Sequence, residues 1–250
     1  MLHVKQYWCC FVAILALITF IIDSVIYHFE HTYTWFDTVL PNPDEVASWD
    51  ETKRFNHLYE LSRWDGILSG TQFNRFVRDQ IDGLRRNKTD KFHFLEVGIG
   101  VGAFALEVLK MFPFSSGAGI DVVPRAISIA EVVLPRDRML VKVGDMRKID
   151  FNSSEFDVVY VPGAICYLLT MEDVKVAVSE FYRVLKPHGG LCLSMIASDT
   201  SDMGSCNTRI PKSFWIKVVH HGFEVLRLED METWHLPHAA GRYSICLRKS

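Results

Sequence analysis

The sequence predicts an α/β domain: a three-layer sandwich on a seven-stranded, mostly parallel sheet whose last strand is antiparallel, preceded by an N-terminal transmembrane helix. Three observations carry this. Residues Phe94 to Leu106 (FLEVGIGVGAFAL) read as a buried strand running into three alternate glycines and then a helix. Further short apolar runs follow at helix-length intervals and end in acids, glycines or proline, the alternation that builds parallel sheets. Between Tyr7 and Ile22, Thr19 is the only conventional polar side chain. The 250 residues thus divide into an anchor at 1–30, a linker and helical lid at 31–90, and the α/β domain at 91–250.

A helix needs ~20 mostly apolar residues to cross a bilayer core. The first apolar run resumes after Asp23-Ser24 with Val25-Ile26-Tyr27, and Tyr7, Trp8 and Tyr27 suit the two interfaces. Residues 7–27 therefore read as a single-pass membrane anchor. A cleaved signal peptide and a buried helix are the alternatives. The run exceeds a usual signal h-region, no small-x-small cleavage site follows it, and it shows no polar face. Lys5 precedes the run while Asp23 and Glu30 follow it, which favours the domain across the membrane, in the lumen of the endomembrane system, and leaves the cytosolic side open as the alternative. Asn87-Lys88-Thr89 and Asn152-Ser153-Ser154, both formal glycosylation acceptors, point the same way.

From Asp44 to Leu84, Phe55, Leu58, Tyr59, Leu61, Trp64 and Ile67 recur at roughly helical spacing. The Gly66 and Gly70 region interrupts them, and a second helix is expected from Gln72. Net charge is −3, with 27 basic against 30 acidic residues, so there is no cationic surplus to hold a nucleic acid backbone. Cys9 and Cys10 fall in the anchor; Cys166, Cys192, Cys206 and Cys246 are scattered and do not settle the redox compartment. No Cys-x-x-C or Cys/His cluster supports a metal.

The glycine segment carries the chemistry. Gly98, Gly100 and Gly102 let the backbone turn sharply and let a ligand approach the main chain beside the amides of the next helix. Glu96 lies near the strand's C-terminal tip, the edge at which open α/β sheets bind ligands. The same segment satisfies the dinucleotide form G-x-G-x-x-G/A through Gly98, Gly100 and Ala103, so alone it admits both cofactor types. The next strand, Gly117 to Val123, carries Asp121 at its tip, where an acid accepts hydrogen bonds from two ribose hydroxyls. A third, Met139 to Val143, runs into Gly144-Asp145-Met146, and a fourth, Phe156 to Val161, breaks at Pro162-Gly163-Ala164.

With Glu180 to Ser194 (EFYRVLKPHGGLCLS), these ordered segments resemble the class I, seven-stranded Rossmann-like S-adenosyl-L-methionine-dependent methyltransferases. The likeness is greatest to the small-molecule "type 11" group related to ubiquinone and sterol methyltransferases, and it spans about Phe92 to Leu247. The resemblance implies that Asp121, with Val122, holds the ribose and that Asp145, with Met146, faces the adenine. It sets Gly98 to Gly102 against the methionine part and adds Glu96 and Pro162, at the first and fourth strand tips, to the cofactor-binding residues. It makes the helices before the first strand a cover for the site, with Tyr59, Trp64 and Tyr167 as substrate-lid candidates. Methyl transfer is an in-line displacement with an optional base. The fourth strand tip lacks an Asn-Pro-Pro-Tyr type sequence, which disfavours amide or base nitrogens as acceptors. The loop between the last two strands, Glu229 to Arg242, should open at the binding edge and offers His235 as first candidate base and His238 as second.

The reading is a membrane-anchored methyltransferase for a small-molecule or lipid-like acceptor. Two alternatives stay open: a non-catalytic cofactor-binding or adaptor module at a membrane, against which the intact acids Glu96, Asp121 and Asp145 argue, and a nicotinamide-dependent oxidoreductase. Synthesis of S-adenosylmethionine in the cytosol stands against the luminal orientation.

Overall fold

The computed structural model describes residues 41–48, 84, 89–196, 210–219, 222–230 and 242–250. The chain divides into two units, Met1–Pro41 and Asn42–Ser250, and the description below concerns the second. The expected anchor at 7–27, the lid candidates Tyr59 and Trp64, and the candidate bases His235 and His238 lie outside the described residues. Among the described residues no helix is long and apolar enough to cross a membrane.

Seven strands form one sheet: β1 (His93–Val97), β2 (Ser116–Asp121), β3 (Met139–Val143), β4 (Phe156–Pro162), β5 (Leu185–Ile196), β6 (Phe223–Asp230) and β7 (Arg242–Lys249), in the order β3-β2-β1-β4-β5-β7-β6. The pairs β1–β2, β2–β3, β1–β4 and β4–β5 are parallel; β7 is antiparallel to both β5 and β6. The expected mixed sheet is present, and the last strand is inserted between β5 and β6. Parallel strands need crossovers, and these run through α2 (Ala103–Met111), α3 (Pro124–Val133) and α4 (Met171–Val184), with α5 (Lys212–Val219) before β6 and a short α1 (Pro43–Ser48) ahead of β1.

Alternation along the strands assigns the two faces. Leu95 and Val97 of β1, Val159 and Val161 of β4, and Leu191 and Leu193 of β5 share one core with Val174, Ala177, Val178, Phe181 and Val184, the apolar stripe of α4 at helical spacing. Phe94 and Tyr160 meet each other edge to face at 6.0 Å, and Phe104 of α2 reaches the Tyr160 ring at 5.2 Å. The helix ends are tied by side chains. Thr170 caps α4, accepting from the Asp173 amide at 3.1 Å. Arg138 donates to the carbonyls of Leu109 and Phe112 at the end of α2, at 3.2 and 3.0 Å, and to Ser115 O at 2.9 Å.

The Lys-Pro turn of the sequence lies at the start of β5. The register with β4 shifts between Phe156 and Val158, His188 takes φ 62, and Lys186 pairs with Asp157 at 2.9 Å. Two of the scattered cysteines find each other. Cys192 of β5 is in direct register with Cys246 of β7, their Cα atoms are 4.3 Å apart, and a disulfide joins them inside the sheet. Closing a loop over a sequence separation of 54 stabilises the fold by about 4 kcal/mol on the chain-entropy account.

At the other end of β7, Tyr243 is fully buried. Its hydroxyl donates to Ile210 O at 2.6 Å and accepts from Trp215 Nε1 at 2.8 Å, and burial pushes its phenol well above its ordinary value. This linkage fastens the segment before α5 to the sheet. Tyr243→Phe leaves a buried carbonyl and a buried indole N–H without their partner. It should lower the unfolding free energy by about 1 to 3 kcal/mol, read as a reduced urea midpoint with an unchanged slope.

Candidate functional site

β1, β2, β3 and β4 point their C-terminal tips to one edge, and that edge gathers most of the residues the sequence singled out. The turn after β1 comes first. Gly98 takes φ 73, and a Cβ built on it would lie 2.2 Å from the Cβ of Ala164 in the turn after β4. No side chain fits between these two turns, which explains why glycine follows the strand here. The Gly98 and Ile99 amides both donate to Ile120 O, at 2.8 and 3.0 Å, so the loop is also fastened to the tip of β2. Gly100, with φ 55, has no heavy atom within 4 Å of where a Cβ would sit. Its backbone is therefore open to close approach by a ligand.

Asp121 organises this loop. One carboxylate oxygen accepts from the Gly100 amide at 2.8 Å and the other from the Val123 amide at 2.9 Å. Each oxygen keeps a second lone pair for an incoming hydroxyl. Burial raises its pKa, and the amides of Val123, Gly100 and Val122 oppose that rise. Val122 itself is 42% exposed on this rim.

Glu96 is 1% exposed, and its Oε2 has no hydrogen-bond partner among the described residues. Desolvation drives its pKa well above the ordinary glutamate range; the Ala105 amide at the start of α2 opposes the shift and the charge of Asp121 adds to it. A buried carboxyl with an open oxygen is costly to ionise, and a cation or a donor brought beside it relieves that cost. Glu96, the exposed backbone at Gly100 and the oxygens of Asp121 thus form a set suited to a ligand with a cationic group at one end and hydroxyls along its length.

Asp145 follows β3 and is held differently. Its carboxylate pairs with Arg147 at 2.6 Å and accepts from the Arg147 amide at 2.8 Å, which holds its pKa below the usual range. Arg147 also reaches Asp173 at 3.0 Å, in the first turn of α4. It thereby keeps Asp145 ionised and oriented as an acceptor. The sequence reading passed over Arg147; its position two residues after the strand-tip acid was the only signal. Met146 packs against the main core. Pro162 ends β4, and Gly163, with φ 81 and open space around it, precedes a 3-10 turn at Ile165–Tyr167. Tyr167 lies in that turn on the same edge.

β6 runs parallel to β5, so its end and the start of β7 fall on this edge too, as Asp230 pairs with Tyr243 and Ile196 with Arg242. The stems of the histidine loop are where the sequence put them. Among the described residues no group of His, Cys, Asp and Glu could hold a metal.

The profile of the family described as "Methyltransferase domain" matches residues 95–193, from β1 through β5. Sterol 24-C-methyltransferase of Saccharomyces cerevisiae is 32% identical over 158 residues, covering 55% of this chain and 40% of the yeast protein. Over β1 to β5 the chain is thus similar to the class I S-adenosylmethionine-dependent methyltransferases. Demethylmenaquinone methyltransferase of Chlorobaculum tepidum is similar to this methyltransferase domain at 29% identity over 157 residues, 62% of this chain and 54% of that protein. The chain therefore spans only about two fifths to just over half the length of these two relatives. In fold, the methyltransferase domain is similar to geranyl diphosphate C-methyltransferase from Streptomyces coelicolor, solved with S-adenosyl-L-homocysteine, with a TM-score of 0.59 and 12% identity over 72% of this chain and 81% of that one. The cofactor of such methyltransferases is S-adenosylmethionine, and the chemistry of Glu96, the approachable backbone at Gly100 and the oxygens of Asp121 suits its cationic amino acid part and its ribose hydroxyls.

Because the folded-state pKa of Glu96 is raised, its contribution to stability is complete below the ordinary glutamate range and is lost as pH rises through the raised value. Glu96→Gln cannot ionise. Without cofactor, the variant should lose less stability than the wild type between mildly acidic and alkaline pH, as seen by urea midpoints measured across that range. Parallel curves for the two proteins would contradict the burial argument.

Proposed function

We propose that this chain is a membrane-anchored methyltransferase that transfers the methyl group of S-adenosylmethionine to a small, lipid-like acceptor. The observation that carries the reading is the match of residues 95–193 to the methyltransferase domain, together with the buried Glu96, its Oε2 unpartnered among the described residues, just before the glycine loop. Two relatives bear names that specify a sterol and a demethylmenaquinone as substrates, and both of those are apolar ring systems. Val122, Val143 and Leu169 are exposed apolar side chains at the tips of β2 and β3 and after the β4 turn, which suits a site receiving apolar groups. Residues 7–27 are the anchor in this reading and would hold the domain where a membrane-dissolved acceptor is available.

In this reading each side chain around the edge has its own task. The sulfonium supplies the reactive methyl when the cofactor is bound. Glu96 pairs with the methionine ammonium, Gly98 to Gly102 give it backbone to lie against, and Asp121 receives the ribose hydroxyls. Asp145, kept ionised by Arg147, accepts from the adenine amine. These contacts position the donor, and positioning is most of what an in-line displacement requires. Tyr59, Trp64 and Tyr167 close over the acceptor. His235, or in its place His238, removes the acceptor's proton from the loop between β6 and β7.

Calorimetry of the full chain in detergent should give binding of S-adenosylmethionine and none of NADH. The reverse result would return the glycine loop to the nicotinamide reading. Asp121→Ala should weaken cofactor binding by about 1 to 3 kcal/mol through loss of its hydrogen bonds, and unchanged affinity would remove the ribose role. Transfer of a labelled methyl from S-adenosylmethionine into a neutral-lipid extract tests the acceptor class. In that assay His235→Ala should lower kcat by about 10²- to 10⁴-fold while cofactor affinity stays constant.

A further inference from the structure

Two features of the domain have no part in binding or methyl transfer, and both concern where the chain matures. One is the Cys192–Cys246 disulfide. The two residues face each other across an antiparallel pair and are each 1% exposed, in the middle of the sheet. A bond in this position is formed as β5 and β7 come together and is then sealed from solvent. Structural disulfides are rare in a compartment kept reducing by glutathione and thioredoxin, and are usual in secretory compartments.

The other feature is the triplet Asn152-Ser153-Ser154. All three residues are exposed, in the turn that leads into β4. The Asn152 amide donates to Glu155 Oε2 at 2.7 Å, and the Ser154 amide donates to Arg183 O at 2.9 Å, so the turn is well fixed. The position within the sheet is decisive. Residue 152 precedes the first residue of β4, whereas Glu96, Asp121 and Asp145 lie at the strands' C-terminal tips. A bulky substituent there would sit at the opposite edge from the cofactor site and obstruct nothing described in it.

We propose that the domain matures in an oxidising, glycosylating lumen, where Cys192 and Cys246 are joined and Asn152 carries an N-linked glycan. In the first step two thiols lose two protons and two electrons to a protein disulfide oxidant, which is reduced to its dithiol as the S–S bond forms. In the second, the Asn152 amide nitrogen bonds to the anomeric carbon of a lipid-diphosphate-linked oligosaccharide. The lipid diphosphate leaves, and the amide proton passes to a base of the transferring enzyme. The proposal concerns compartment and modification, and stands whether or not the methyl acceptor is lipid-like.

The test uses the full chain expressed in a eukaryotic cell. An amide-cleaving endoglycosidase should increase the gel mobility of the wild type. Asn152→Gln should remove one step of that shift, while Asn87→Gln separates any contribution of the other acceptor triplet. Ser154→Gly destroys the same acceptor while suiting the φ of 57 at that position, so it should reproduce the loss in a protein that folds at least as well. Under non-reducing conditions Cys192 and Cys246 should resist alkylation after denaturation and appear as one cross-linked peptide by mass spectrometry. Identical mobility of wild type and both acceptor variants, or free thiols at Cys192 and Cys246, overturns the proposal. Binding of S-adenosylmethionine by the same preparation reports separately on the proposed activity.

Discussion

The candidate binding edge depends on how closely the turn after β1 approaches the turn after β4. With 2.2 Å between a built Cβ on Gly98 and Ala164, the two turns touch through backbone and one methyl. The rest of the site is registered from this contact. It sets the path of the loop whose Gly98 and Ile99 amides lock onto Ile120, which in turn brings the Gly100 amide to Asp121. The buried Glu96 lies immediately beneath. A side chain at position 98 would both strain the backbone at positive φ and push the turns apart, disturbing three strand tips together.

Around that rigid centre the polar groups are arranged in two ways. Glu96 is stripped of water and left with an open oxygen, which makes it a poor neighbour for anything except a cation or a donor. Asp145 is paired with Arg147 and linked through it to Asp173 at the start of α4, which makes it a fixed anion on the rim. The same residue class thus serves at two positions with opposite shifts, and the difference comes from burial in one case and from a guanidinium in the other.

Much of this was legible in the sequence because parallel strands are buried on both faces and read as short apolar runs with sharp ends. Gly98 to Gly102, Asp121 and Asp145 mark strand ends by their own chemistry, and the structure brings them to one edge. What was not legible depends on long-range register. Nothing local to Cys192 or Cys246 announces that they face each other, since that follows from β7 entering between β5 and β6 with one particular alignment. Arg147 offered only its spacing from Asp145, and its reach to Asp173 in the first turn of α4 appears once the fold brings the two together. The anchor, the lid aromatics and the histidine loop rest on composition and on the family resemblance, since they lie outside the described residues.

The position of β7 also bears on the order in which the domain can be built. It is an interior strand bonded on both sides, yet it is the last of the seven in sequence. During synthesis β5 must wait with one edge unpaired until β7 emerges, and β6 has no sheet to join before then. Such an interval exposes a hydrogen-bonding edge in an incomplete sheet, where mispairing with other nascent chains is the hazard. The cysteine pair lies on the seam that closes last, so its oxidation marks completion of the sheet and makes that final step hard to reverse.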